Sequence, residues 1–229
     1  MEPSTGSEAR SDASFRAEDP VRHAGASGRS GGRNMIGVLA LQGAFRAHVD
    51  ALTDLGVAAR DVRTPAHLDG VDALVMPGGE STTMSRLLTS SGLFDQIKAR
   101  ASEGMAVFGT CAGMILLATE VLDGRPDQRT FGIVDLTVRR NGYGRQLASF
   151  EADLDLGDDG GPMRGVFIRA PRVTDAGADV EVIASHDGTP VLLRQGRFLV
   201  ASFHPELTDD TRVHERFLEL VREEMHVGA

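Results

Sequence analysis

The sequence predicts an α/β domain built on a mostly parallel central sheet with helices on both faces and a smaller β-rich portion. Three observations carry that prediction. Short, wholly apolar runs recur at Ile36–Leu41, Ala73–Met76 and Met105–Phe108, as expected of strands buried on both faces. Segments with apolar residues at helical spacing separate them, giving the order strand, helix, strand, strand, helix, strand, helix. Each run ends in a glycine-bearing turn: Gln42-Gly43, Pro77-Gly78-Gly79, and Gly109 to Gly113. Crevices of such sheets lie beyond the carboxyl ends of the strands, so Gly78-Gly79 and Cys111 are expected to face one site.

Taken in order, Ile36–Leu41 is the first strand, followed by a helix carrying Phe45, Val49, Leu52 and Leu55 and closed by Gly56. A second strand is expected near Ala58–Arg63 and a third at Asp72–Met76. A single helix is expected over about Met84–Glu103, burying Leu87, Leu88, Phe94 and Ile97, with Gly104 as its stop. The strand Met105–Phe108 then turns abruptly into an apolar helix through Met114 to Ala118. Beyond Asp123 short β-rich segments follow at 130–139, 146–156, 165–168, 180–185 and 191–195, the last two joined by Asp187-Gly188. Phe198–Phe203 is the final strand, and Asp209-Asp210 opens an amphipathic C-terminal helix bearing Val213, Phe217, Leu220 and Val221.

The chain has 229 residues, 25% of them charged and 41% hydrophobic, which suits one soluble domain with a sizeable core. Its net charge of −9 argues against nucleic acid and anionic membranes as partners. No apolar run approaches a membrane span. One cysteine cannot form an internal disulfide, and no Cys/His spacing suits a metal; both fit a reducing cytoplasm. Lys98 is the sole lysine and lies in a charged, helix-like stretch, which disfavours Schiff-base chemistry. Residues 1–34 are rich in Ser, Gly, Ala and Arg without periodicity or a hydrophobic signal segment. They are expected to form a disordered N-terminal extension ahead of a domain spanning 35–229.

Cys111 stands between Gly109 and Gly113, the spacing of a nucleophile elbow with sulfur in place of a serine oxygen. There it would sit at a helix N-terminus, which favours a thiolate; a lone cysteine in an apolar run is equally a small core residue. Acyl transfer by a thiol also needs a base, a group that orients the base, and donors for an oxyanion. Of the seven histidines, His48, His67, His214 and His226 fall on helix faces or loops and are expected to be solvated, and His186 to be exposed beside its turn. His204 differs, because it ends an apolar strand and precedes Pro205-Glu206. Proline holds the preceding residue extended, and residues two apart on extended backbone point the same way, so Glu206 can orient His204. Gly79 and Ala112 are the expected backbone oxyanion donors. A phosphate cradle at Gly78-Gly79 is disfavoured because no lysine follows.

Together these residues resemble the class I (triad) glutamine amidotransferases, and more closely the family of glutaminase subunits of pyridoxal 5′-phosphate synthase. The segments that carry the resemblance are Gly37–Gly43, Pro77–Thr83, Phe108–Gly113, Arg140–Gln146, Phe167–Pro171 and Ser202–Thr208. The resemblance implies a three-layer, flavodoxin-like fold and a Cys111–His204–Glu206 triad that hydrolyses L-glutamine to glutamate and ammonia. It implies a glutamine site including Gly79, Glu80, Ser81, Arg140, Ile168 and Arg169, without a cofactor or metal. Read alone, Arg140 and Arg169 are ordinary surface charges. It further implies a partner, the lyase-type (β/α)-barrel subunit, which receives the ammonia within a large hetero-oligomer and activates the glutaminase on docking. The alternatives are a glutaminase subunit of another synthase, such as imidazole glycerol phosphate synthase, a non-catalytic thiol-bearing binding protein, and a cysteine peptidase on the same elbow.

Overall fold

Alternate residues of the central strands enter two different cores, and this fixes the layering of the fold. In β3 (Ala73–Met76), Leu74 and Met76 join one buried cluster while Ala73 and Val75 join the other. The same split separates Val107 from Ala106 and Phe108 in β4 (Ala106–Thr110). Strands buried on both faces need a layer on each side. The computed structural model describes residues 34–142 and 149–227; the expected extension at 1–34, apart from Asn34, lies outside them, as does Tyr143 to Ala148 within the β-rich portion.

Among the described residues the main sheet has seven strands in the order β10-β11-β12-β4-β3-β1-β2. Here β1 is Met35–Leu39, β2 Ala58–Val62, β10 Glu181–His186, β11 Thr189–Gln195 and β12 Phe198–Ala201. The five strands β12, β4, β3, β1 and β2 are parallel, and β11 and β10 add an antiparallel edge. The order 2-1-3-4 followed by β12 is the flavodoxin-like winding, whose crevice lies at the carboxyl ends where the strand order reverses. Asp187 and Gly188 both take positive φ, 48° and 70°, in the β10–β11 hairpin, the geometry a two-residue primed turn requires.

On one face, α1 (Phe45–Asp54) and α5 (Arg212–Val227) supply Leu52, Val213 and Phe217 to the core, together with Leu154, Met163 and Phe167 from the hairpin β7 (Ser149–Leu154) and β8 (Met163–Ile168). On the other lie α2 (Ser81–Ser90), α3 (Leu93–Ser102), α4 (Ala112–Leu117) and a small sheet of β5 (Ala118–Val121), β6 (Val134–Arg139) and β9 (Arg172–Ala176).

Three departures from the sequence reading have local causes. The single helix expected over Met84–Glu103 is two, because Gly92 adopts a left-handed φ of 75° and begins α3 anew; α2 also starts earlier, at Ser81, where Glu80 caps it. The apolar run after Cys111 leaves its helix at Leu117 and continues as β5, a change that uniform hydrophobicity conceals. Strand β9 follows Pro171 directly and was not foreseen, since its Arg172-Val173-Thr174-Asp175-Ala176 pattern buries little apolar surface.

The elbow depends on close packing of backbone. A Cβ on Gly113 would collide with the Met76 carbonyl oxygen, and one on Gly109 would come within 2.7 Å of the Gly113 carbonyl carbon. Gly113→Ala is therefore expected to destabilise the domain by about 2 kcal/mol or more, the scale of overpacking a rigid core. Urea unfolding of the variant beside wild type measures this.

Candidate active site

Strand β4 delivers Cys111 into a backbone conformation that few non-glycine residues adopt, with φ 49° and ψ −102°. Such a residue stores about 1–3 kcal/mol of strain, and the surrounding hydrogen bonds maintain it. Cys111 N donates to Ala201 O of β12 at 2.8 Å, and Ile115 N donates back to Cys111 O at 3.2 Å. The thiol is buried, with Sγ 3.8 Å from Ile168 O.

His204 arrives from the neighbouring strand end. Its backbone N–H donates to Val166 O of β8 at 2.8 Å, pinning it across the crevice. Its Nδ1 lies 2.8 Å from Glu206 Oε1, and its ring lines the same cavity as Cys111. The structure thus brings Cys111, His204 and Glu206 together. The local geometry differs from the extended segment expected: Pro205–Leu207 forms a 3₁₀ turn, and that turn, not an extended chain, swings Glu206 back beneath the imidazole. Gly78 closes the approach, since a Cβ there would collide with His204 Cε1 and lie 3.2 Å from Cys111 Cβ.

Burial works against a charged His204, but its bonds to Cys111 and Glu206 and the charges they carry prevail, holding it up at about 10. Burial likewise opposes the charge of Glu206, yet His48 and His204 keep its carboxyl below the usual range. The pair is therefore imidazolium and carboxylate at neutral pH.

Cys111 and His204 open on a cavity of about 200 Å³. Its walls are the expected Gly79, Glu80, Ser81, Arg140, Ile168 and Arg169, joined by Gly43, Ala44, Gly78, Ile115 and Asn141. Ala112 opens α4 directly behind Cys111. Arg140 is not a free surface charge: its Nη2 lies 2.7 Å from Glu80 Oε1. Glu80 also caps α2, accepting from Thr82 N at 3.1 Å and from Thr83 N at 2.7 Å. Partial burial opposes its ionisation, but the Thr83 and Thr82 bonds outweigh it and hold the carboxyl at about 2. Arg169 takes a left-handed φ of 45° at the cavity wall.

Residues 38–223 match the model of the SNO glutamine amidotransferase family. The chain belongs to that family. It is 56% identical over 188 residues to a pyridoxal 5′-phosphate synthase subunit PdxT of Mycobacteroides abscessus, covering 82% of this chain and 97% of that one. A PdxT of Streptomyces coelicolor is 55% identical over 189 residues, covering 82% and 94%. A crystal structure of a glutamine amidotransferase superposes with a TM-score of 0.77 at 51% identity, covering 81% of this chain and 98% of that one. The structure of PurLQS from Thermotoga maritima shares the fold, with a TM-score of 0.60 at 16% identity over 82% and 98% of the two chains.

Within this SNO-family site the sequence reading went wrong at two histidines. His48 and His214, expected to be solvated, are buried at 0% and 1% exposure. His48 Nε2 lies 3.3 Å from Glu206 Oε2, and His48 Nδ1 lies 2.9 Å from His214 Nε2. One sequence signal existed: His48 falls between Phe45 and Leu52 on the apolar stripe of α1, and His214 beside Val213 and Phe217 on α5. His186, expected to be exposed, packs its ring against Phe150 and Phe167. Gly43, Ala44 and Asn141 were missed as cavity walls, although Gln42-Gly43 sits at a strand's carboxyl end.

The pH dependence of stability follows from His204. Its protonated form is favoured by folding, so that contribution is whole below 6.5, the ordinary histidine value, and is lost as pH rises toward about 10. The stability gap between wild type and His204→Gln should shrink steadily from pH 6.5 to 10. Denaturant titrations across that window test it, and a constant gap would count against the ion pair.

Proposed function

We propose that this SNO-family chain is the glutaminase subunit of a pyridoxal 5′-phosphate synthase, hydrolysing L-glutamine with Cys111 as nucleophile, His204 as acid and base, and Glu206 as the group that orients His204. The observation that carries the reading is Cys111 and His204 lining one small cavity, with His204 Nδ1 held 2.8 Å from Glu206 Oε1. The names of the close relatives support the subunit assignment.

The chemistry follows from the charges. Attack requires the thiolate, with the proton of the pair held on His204. Cys111 Sγ attacks the side-chain carboxamide carbon, and the oxygen that becomes negative rests on the Gly79 and Ala112 amides. His204 gives its proton to the departing nitrogen, the C–N bond breaks, and ammonia leaves a γ-glutamyl thioester. His204 then takes a proton from water, hydroxide adds to the thioester, and the C–S bond breaks to release glutamate. Glutamine's α-carboxylate suits the Arg140 guanidinium and its α-ammonium the Glu80 carboxylate, with Ser81, Ile168 and Arg169 completing the site.

Ammonia lost to solvent would be protonated and wasted. The reading therefore includes a synthase partner, a lyase-type (β/α)-barrel subunit in a large hetero-oligomer, that receives ammonia directly and whose docking sets the Gly78-Gly79 loop for the oxyanion. It also assigns 35–229 to the amidotransferase domain, 1–34 to an extension outside it, and the protein to the cytoplasm. Among the described residues no helix is long and apolar enough to cross a membrane.

The test is ammonia release from L-glutamine with and without the synthase subunit. Turnover should appear with the partner, vanish in Cys111→Ala, and fall roughly 10²–10⁴-fold in Glu206→Gln, which keeps shape but loses the charge. Arg140→Ala should raise KM by about tenfold to a hundredfold with kcat little changed, as the loss of one charge-assisted contact to the ground state would do. Full turnover by Cys111→Ala would overturn the mechanism.

A further inference from the structure

We propose that His48 is a positioning residue for the glutaminase reaction: its Nε2–H holds the second oxygen of Glu206, and His214 fixes the tautomer that makes this possible. The inference rests on the reading of Glu206 as the group that orients His204, and extends the line of contacts inward to α1 and α5.

The geometry starts from the two carboxylate oxygens of Glu206. Oε1 meets His204 Nδ1 at 2.8 Å. Oε2 is buried and makes no aligned hydrogen bond among the described residues; His48 Nε2 lies 3.3 Å from it, within ion-pair reach. That nitrogen also lies 3.3 Å from Thr110 Oγ1, so it stands between a hydroxyl and a carboxylate oxygen. A carboxylate held at one oxygen can swivel about its Cγ–Cδ bond, whereas one held at both has a fixed plane. The pose of the His204 ring follows that plane.

Which proton His48 carries is settled by its other neighbour. Its Nδ1 lies 2.9 Å from His214 Nε2, and His214 Nδ1 is buried without a partner among the described residues. If His48 carried its proton on Nδ1, its bare Nε2 would face a negative oxygen, and His214 would bury an unpaired N–H. If His214 carries its proton on Nε2, it donates to His48 Nδ1, and His48 presents Nε2–H to Glu206. Only a lone pair is then left unmet, at His214 Nδ1. The tautomers are thus assigned from the network.

Both rings are kept neutral. Burial lowers His48, and only the Glu206 charge works in the other direction strongly enough to matter; burial and His48 lower His214 to about 3. The titratable groups facing this cluster are His204 on the same turn, Cys111 from the elbow, His48 from α1 and His214 from α5.

The experiment combines ¹⁵N NMR of the imidazoles in the full chain with glutamine turnover in the complex. Wild type at pH 7 should show His48 and His214 as neutral Nε2–H tautomers. In His48→Leu the His204 titration midpoint should fall from about 10 toward 6.5, and kcat should drop by about tenfold to a hundredfold with KM unchanged, as expected when a catalytic group is displaced by about 1 Å. His48→Gln, whose amide can place an N–H near the same point, should recover most of both. An Nδ1–H or doubly protonated His48 in wild type overturns the proposal, whether or not the leucine variant folds. So does a folded His48→Leu with wild-type kcat and an unmoved His204 midpoint. Failure of the glutaminase reading itself would show separately, as wild-type turnover no greater than that of Cys111→Ala, and the NMR arm would still judge His48.

Discussion

A carboxylate buried at the end of β12 is the feature on which the rest of this site depends. Taking Glu206 out of water costs several kcal/mol unless neighbouring groups replace its hydration. Those groups come from three parts of the chain far apart in sequence. His204 lies on the same 3₁₀ turn, His48 on α1, and His214 on α5 behind it. The helices α1 and α5 share one face of the sheet, and their apolar stripes make them pack there. The buried charge uses that packing to bring imidazoles within reach. Removing a partner would leave the charge uncompensated, so the polar cluster and the hydrophobic layer hold each other in place.

The sheet topology does the complementary work on the open side of the site. Parallel strands all present their carboxyl ends at one edge, so residues that are distant in sequence meet without long connections. From β1 comes Gly43, from β3 Gly78 and Gly79, from β4 Cys111, and from β12 His204. The strained backbone at Cys111 is sustained because a β12 carbonyl accepts from its N–H and an α4 N–H donates to its carbonyl. A loop could not hold this conformation against a cost of about 1–3 kcal/mol with so few constraints. Glu80 performs a similar double duty, since the carboxylate that ends the α2 dipole also holds Arg140 over the cavity.

Much of this was legible in the sequence, and the reasons are physical. Apolar runs mark doubly buried strands, and glycines mark the turns at their ends, so the parallel sheet and the meeting of Cys111 with Gly78-Gly79 could be read directly. Glu206 beside His204 was also foreseen, though for an incomplete reason: the 3₁₀ turn, not extension, sets the contact. The break between α2 and α3 was hidden because Ser90-Ser91-Gly92 tolerates a helix as well as a stop, and Gly92 declares itself only through its left-handed φ. Arg140 and Glu80 are 60 residues apart, and their 2.7 Å pairing has no local signature.

His48 and His214 show most clearly where the reading ran out. A histidine on a helix is ordinarily solvated because its ring nitrogens need partners, and sequence cannot show a partner that sits 166 residues away. The stripe of α1 did carry the information, for Phe45, Val49 and Leu52 define a face on which His48 must lie. A polar residue on an otherwise apolar stripe is either an error of registration or a group with a buried partner. The lone-pair and proton count decides between these here: two imidazoles and one carboxylate can satisfy one another with a single bare nitrogen left over, so the stripe and the polar cluster are compatible. That count, more than the burial itself, explains how a helix can turn a histidine inward beneath a reacting site without losing the stability of its core.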